Sequence, residues 1–222
     1  MRLLGTVCDE SKRLQQKFPE ISNNIPDTFD ARSQWPQCPS IGFIRDQGSC
    51  RSSWAVASVT AMSDRICIAS KGSIKVNLSA EDLMSCCHDC GYGCDGGFPS
   101  VAWKYWESEG IVTGGGYQGD GCEPYSIPPC EHLLPSPRPS CKRASSPKCK
   151  KQCALGYQKQ YAADKIQGNA PYSVNPDSRA IQNEIFTNGP VQASIDVFND
   201  FPDYKSGKQD THEELSSASI LT

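Results

Sequence analysis

The apolar positions of this chain repeat with two different periods, and long stretches between them have no period at all. From Ser53 to about Ser70, Trp54, Ala57, Ala61 and Ile68 recur at helical spacing and Gly72 offers a stop, so a helix is predicted there. Ser79-Ala80-Glu81-Asp82 reads as an N-cap with an acidic residue three positions on, opening a short second helix. A third helix, Ser100 to Glu109, carries Trp103, Tyr105 and Trp106 and stops at Gly110. A fourth runs from Ser178 to Thr187, with Asp177 as cap and Gly189 as stop. After it Val191, Ala193, Ile195 and Val197 alternate with polar residues, the period of a half-buried strand. Residues 1–24 are polar with few structural signals, Pro26 and Pro36 bracket an irregular stretch, and residues 208–222 form a patternless polar tail. Between the third and fourth helices, residues 111–176 are dominated by glycine, proline and cysteine, which predicts loops pinned by disulfides.

Composition narrows the class. A chain of 222 residues is long enough for one large or two small domains with a sizeable core. Thirteen cysteines, several in the cluster Cys86-Cys87-x-x-Cys90-x-x-x-Cys94, fit oxidative folding in a secretory or lysosomal route. Cys87-x-x-Cys90 also has zinc-ligand spacing, but a zinc ribbon needs a second matching pair, and Cys149-x-x-x-Cys153 is a poor one. No metal and no other cofactor is therefore expected. The net charge of −3 gives no support for a nucleic-acid partner and little for an anionic membrane surface. No apolar run reaches the ~18 residues a spanning helix needs, so a soluble chain without a membrane partner is expected. Met1 to Cys8 does not make a signal peptide, because its apolar stretch is short and Asp9 and Glu10 follow at once. A truncated start reconciles that with the cysteine usage.

The most informative segment is Gln47-Gly48-Ser49-Cys50-Arg51-Ser52-Ser53-Trp54-Ala55. It resembles the nucleophile motif of papain-like peptidases, with Ser53 where the reactive cysteine stands. Further blocks point the same way: Phe29-Asp30-Ala31-Arg32, Leu78-Ser79-Ala80-Glu81-Asp82-Leu83, Gly93-Cys94-Asp95-Gly96-Gly97, and Pro124-Tyr125-Ser126-Ile127-Pro128-Pro129-Cys130-Glu131-His132. With them the chain resembles the cathepsin B group over residues 25–207, the last block looking like that group's occluding loop. The resemblance implies an α+β, disulfide-rich, papain-like fold of two lobes. A helical left lobe lies mainly in 36–110. A β-barrel right lobe is only partly present in 111–207, with the occluding loop at 122–141. Residues 1–24 look like the tail of a propeptide and 208–222 like a divergent tail. Disulfides implied by the resemblance are Cys38–Cys67, Cys50–Cys94, Cys86–Cys149, Cys87–Cys90, Cys122–Cys153 and Cys130–Cys141, which leaves Cys8 over.

The same resemblance assigns site roles. Gln47 matches the oxyanion-hole glutamine, whose amide would stabilise charge on a scissile carbonyl; its plainer reading is a loop amide. Gly96 and Gly97 match the stretch along which substrate backbone lies, with Phe98 and Pro99 walling a side-chain pocket; the plainer reading is a turn. His132 stands at the first of two carboxylate-binding histidines of the occluding loop and Leu133 at the second, while Asp46 and Arg138 match positions that latch the loop. Arg51 replaces a glycine and is expected to obstruct the cleft. Asn77-Leu78-Ser79 is a glycosylation sequon, expected on a surface loop.

A free thiol has a pKa of ~8.5 and falls to roughly 3–4 beside an imidazolium, whereas a serine hydroxyl needs a general base at the moment of attack. The three histidines are His88, His132 and His212. None stands where the resemblance expects the catalytic one, and the catalytic asparagine is expected beyond Thr222. The reading is thus a cathepsin B-like cysteine peptidase homologue, inactive in this chain, lysosomal or extracellular and monomeric. Its partners would be peptides, proteins or inhibitors that fit such a cleft. The alternatives are a non-catalytic decoy and a truncated product without a function of its own.

Overall fold

The computed structural model describes residues 5–7, 9–131, 138–195 and 220–221. Its organising element is the helix α2 (Ser53–Ala69), which follows a short helix α1 (Ala31–Gln34) capped by the Asp30 side chain. Against α2 pack α3 (Ala80–Cys86) and α4 (Pro99–Ser108), and the core between them holds Trp54, Met62, Leu83, Trp103 and Ile111. The buried face of α2 is wider than its apolar positions foretell. Ser58 and Ser63 are fully buried because their hydroxyls donate to the carbonyls of Trp54 and Val59, one turn back, at 2.7 and 2.5 Å. Ala57, expected inward, faces out.

Caps set the helix ends as the sequence predicts. The Ser79 hydroxyl accepts the Asp82 N–H at 2.9 Å, and the Asp177 carboxylate accepts that of Ala180 at 3.0 Å to open α6 (Ser178–Asn188). Gly189 closes α6 at φ +103. The acidic residue of the first cap does other work, however. Asp82 turns away from the cap to accept Tyr161 Oη at 2.6 Å, Lys165 Nζ at 2.9 Å and the Val112 N–H at 3.0 Å. It thereby ties α3 to the chain entering and leaving α5 (Tyr161–Asp164).

The six disulfides join the pairs that the resemblance implies, Cys38–Cys67, Cys50–Cys94, Cys86–Cys149, Cys87–Cys90, Cys122–Cys153 and Cys130–Cys141. Cys87 and Cys90 are thus bonded to each other, which removes them as zinc thiolates. Asp82, Cys86 and Glu123 bring ligand atoms within 4.8 Å of one another. The Cys86 sulfur is in a disulfide and Asp82 is fully engaged, so that cluster has no free ligand set.

Sheet structure is sparse among the described residues. β1 (Gln16–Lys17) runs parallel to β2 (Ser173–Val174), which pairs antiparallel with β3 (Ile220–Leu221). The strand expected from Val191 does not form among the described residues: 191–195 hold a single bridge position at Gln192, and Val197 lies outside them. The alternation is also inverted, for Gln192 is 4% exposed and Ile195 56%. The cause is polar. The Gln192 Oε1 accepts Ser58 Oγ and Trp103 Nε1, both at 2.7 Å, and its Nε2 donates to the Trp54 carbonyl at 3.1 Å. One amide thus satisfies groups on α2 and α4, and this fixes which face turns inward.

Gln192→Leu leaves the Trp103 indole N–H without its acceptor, and a loss of about 2–4 kcal/mol is expected, read from the denaturant midpoint; an unchanged midpoint would show that the amide does not hold α2 to α4. Glu123 is 7% exposed and its Oε1 has no partner among the described residues; burial, reinforced by the Asp82 charge, pushes its carboxyl up to about 7. The folded chain keeps a proton that the unfolded chain releases near the ordinary 4.5, so stability is full below that value and is lost as pH rises towards 7. The melting temperature should fall across that window, and Glu123→Gln should flatten the fall.

Candidate active-site cleft

The predicted catalytic positions gather at the start of α2. Ser53 is its first residue and is half-buried. Next to it, Ser52 is wholly buried and donates to Tyr125 Oη at 2.7 Å, and that hydroxyl donates to the Gln47 carbonyl at 2.9 Å. This relay holds the Gln47 turn against the helix start. Ser53 and Gln47 then line one cavity of about 550 Å³, together with Phe43, Arg45, Ala57 and Asp64. The structure therefore brings together the two residues assigned to nucleophile and oxyanion positions. The buried Gln47 Oε1 and Asp64 Oδ1 lack partners among the described residues. Burial pushes the Asp64 carboxyl up to about 6, opposed by the Ser40 hydroxyl and the Arg45 charge, and lowers the Arg45 guanidinium to about 10.

The glycine rim forms the other side. The Cys50–Cys94 disulfide and an Arg51 N–H to Cys94 carbonyl bond of 3.1 Å fasten it to the α2 start. Gly97 has to be glycine, because a Cβ there would lie 2.5 Å from the Trp54 ring and 2.6 Å from the Cys90 carbonyl. Phe98 caps α4 from a buried position, and Pro99 opens that helix with no N–H to lose.

The cleft is not empty. Residues 5–7 lie along the rim as an added strand: the Gly97 N–H donates to the Gly5 carbonyl at 2.9 Å, and the Val7 N–H donates to the Gly97 carbonyl at 2.8 Å. Gly5 passes over the nucleophile position so closely that a Cβ would collide with Ser53 Oγ and come within 2.6 Å of the Arg51 carbonyl. Further along the same segment, the Lys12 ammonium sits 3.3 Å above the Phe98 ring. Sequence reading missed this use of residues 5–7 and of Lys12, since a polar stretch without a period carries no sign of where it docks. It also missed the Tyr125 relay, although Tyr125 lies in a block that carried the resemblance.

Other predicted residues fall in different places. Arg138 pairs with Asp46 at 3.0 Å, and the loop behind it is closed by Cys130–Cys141. His132, Leu133 and His212 lie outside the described residues. His88 is exposed in the turn bridged by Cys87–Cys90. The Arg51 side chain is exposed, and it is its backbone that takes part in the cleft. The sequon does not sit on an open surface loop as expected. Asn77 is half-buried with its Oδ1 3.4 Å from the Arg45 guanidinium, and Leu78 and Ser79 are fully buried at the bridge to Thr113. The sequence around it is drawn inward by the α3 cap.

A helix start held by disulfide against a glycine rim, with a strand laid along that rim, defines a papain-like peptidase fold. Residues 25–220 match the family described as papain family cysteine protease, and the chain belongs to that family. It is 46% identical over 213 residues to a cathepsin B-like cysteine proteinase of Schistosoma japonicum, covering 92% of this chain and 62% of that protein. It is 47% identical over 206 residues to cathepsin B-like cysteine proteinase 6 of Caenorhabditis elegans, covering 89% and 54%. Among solved structures it resembles procathepsin B S9 from Trypanosoma congolense, with a TM-score of 0.74 at 30% identity over 98% of this chain and 68% of that one. The chain is a cathepsin B-like homologue that spans 54–62% of the length of these two curated relatives.

Because a side chain at position 5 would collide with the Ser53 hydroxyl, Gly5→Val should lift residues 5–7 off the rim while leaving the lobe folded. Amide exchange at Val7 and Gly97 is expected to speed up by at least tenfold, about 1.4 kcal/mol. Unchanged protection at both amides would show that the strand does not depend on that contact.

Proposed function

We propose that this chain is a binding member of its family, which holds peptide strands in the cleft and does not cleave them. One observation carries the reading: at the start of α2, where the family resemblance puts the nucleophile, the side chain is the hydroxyl of Ser53, and no histidine among the described residues lies in the cleft to activate it. A thiol can be held as thiolate before substrate arrives, but an alcohol needs a base within hydrogen-bond reach at the moment of attack. The retained parts support binding. Gly97 offers one donor and one acceptor to an extended strand, and Phe98 walls the place beside it. The occupants this suits are peptide segments and protein inhibitors of extended shape. Residues 5–7 act as an internal occupant, in keeping with a propeptide tail. Six disulfides support a lysosomal or extracellular setting.

The test is peptidase assay of the purified chain on fluorogenic dipeptide and longer substrates, beside Ser53→Ala and Ser53→Cys. We expect no turnover above background in the wild type or Ser53→Ala, and at most a weak thiol-dependent rate in Ser53→Cys. Wild-type turnover that Ser53→Ala abolishes would overturn the proposal. Binding is read separately, by titrating Gly5→Val with an extended peptide aldehyde and following protection of the Gly97 amide.

A further inference from the structure

The two tryptophans of α4 have different fates. The Trp103 indole N–H donates to Gln192, whereas that of Trp106 has no acceptor among the described residues. Trp106 is only 7% exposed, and a buried donor without a partner is costly. Its ring is wedged. Trp103 meets it edge to face with centroids 5.6 Å apart, and a Cβ on Gly168 would lie 2.4 Å from its six-membered ring. The indole therefore has no room to turn towards another acceptor.

Trp106 borders a cavity of about 580 Å³ that lies apart from the cleft. The cavity opens between the second half of α2, α4, the end of α6 and Lys17 of β1. Ser53 stands about 20 Å away along α2, at 1.5 Å per residue. Ile66, Ile68 and Ala69 give the cavity an apolar wall. Its charged lining residues are both cations, Lys17 and Arg65, and no carboxylate lines it among the described residues. Arg65 is already matched by the buried Glu184 at 3.0 Å and donates to the carbonyls of Gly189 and Pro190. Lys17 forms no ion pair among the described residues, and its ammonium rests 3.7 Å from the centroid of the Tyr172 ring.

We propose that this cavity binds a small carboxylate with an apolar body. The carboxylate accepts from the Trp106 N–H and pairs with Lys17, while the apolar body displaces water from Ile66 and Ile68. The volume lies within the roughly 300–1,000 Å³ of small-molecule sites. Two cations disfavour an amine. A neutral sugar lacks a stacking platform, because Trp103 and Trp106 are both buried, at 1% and 7% exposure. The ligand also bridges two parts of the chain, since Lys17 belongs to β1 and every other lining residue lies at or beyond Arg65. Binding therefore favours the docked β1, which is held by the Ser173 N–H donating to the Gln15 carbonyl at 3.0 Å. None of this depends on whether Ser53 is catalytic.

The experiment is calorimetric titration of the whole chain at neutral pH with phenylbutyrate and phenylhexanoate, beside phenylhexanol and phenylhexylamine. Phenylhexanoate should bind about tenfold tighter than phenylbutyrate, for two further CH₂ groups. The alcohol and the amine should bind at least about tenfold more weakly than the acid of the same length. Lys17→Met keeps an apolar stem of similar length. It should weaken phenylhexanoate about tenfold and leave phenylhexanol unchanged. Phenylhexanoate should also slow amide exchange at Ser173 in the wild type, by about threefold or more, and not in Lys17→Met. Equal affinity for acid, alcohol and amine, or wild-type affinity in Lys17→Met, would overturn the proposal. Trp106→Phe removes the indole donor and should weaken the acid about fivefold. Should that variant fail to fold, the wild-type Trp106 indole N–H resonance decides the donor's part. A downfield shift with phenylhexanoate and none with phenylhexanol supports the site, and an unmoved resonance removes it.

Discussion

The contact on which the cleft depends is the one between Trp54 and Gly97. The indole is completely buried, donates its N–H to the Gly93 carbonyl at 3.1 Å, and lays its ring where a Gly97 side chain would otherwise be. This sets the distance from the rim backbone to the helix start. Ser53 precedes Trp54 directly, so its position relative to the rim is fixed by the same packing. The Cys50–Cys94 bond then closes the ring of constraints from the other side. It also narrows the unfolded ensemble, by an amount that grows with the loop it closes.

A second constraint acts around α3. Asp82 is wholly buried, as a carboxylate seldom is without compensation, and Lys165 at 17% side-chain exposure supplies the countercharge. With Tyr161 and the Val112 amide it spans three separate stretches of a region that has little regular secondary structure. Glu123 lies next to it without an ion pair of its own among the described residues, and burial together with the Asp82 charge disfavours its ionised form. The disulfides of Cys86 and Cys122 hold that arrangement in place where helices and strands are lacking.

What could be read in the sequence follows from the range of the forces involved. Helix ends were legible because a cap is settled within three or four residues, as at Ser79, Asp177 and Gly189. The strand after Val191 was not, since alternation of apolar residues says nothing of an amide that finds Ser58 and Trp103 more than eighty positions away. Asp82 looked like part of a cap for the same reason: the Lys165 that claims it is distant in sequence. The pairing of twelve cysteines came from resemblance alone, as no local rule selects among so many partners. The docking of Gly5 on Ser53 left no trace in composition, because it depends only on the lack of a side chain at one position.

That lack of a side chain also separates binding from catalysis in this cleft. Holding an extended strand needs an N–H and a carbonyl turned towards that strand, as at Gly97, and a floor from which side chains are excluded. Trp54, the disulfide and the rim glycines supply these whatever atom Ser53 carries. Cleavage makes a further demand, a nucleophile whose proton can be removed, and that demand falls on a single atom and its base. Replacing sulfur by oxygen leaves the packing of the helix start almost untouched, for the two side chains differ little in size. The strand-holding frame therefore does not depend on the chemistry, and the close passage of Gly5 shows that frame engaged with a backbone of its own.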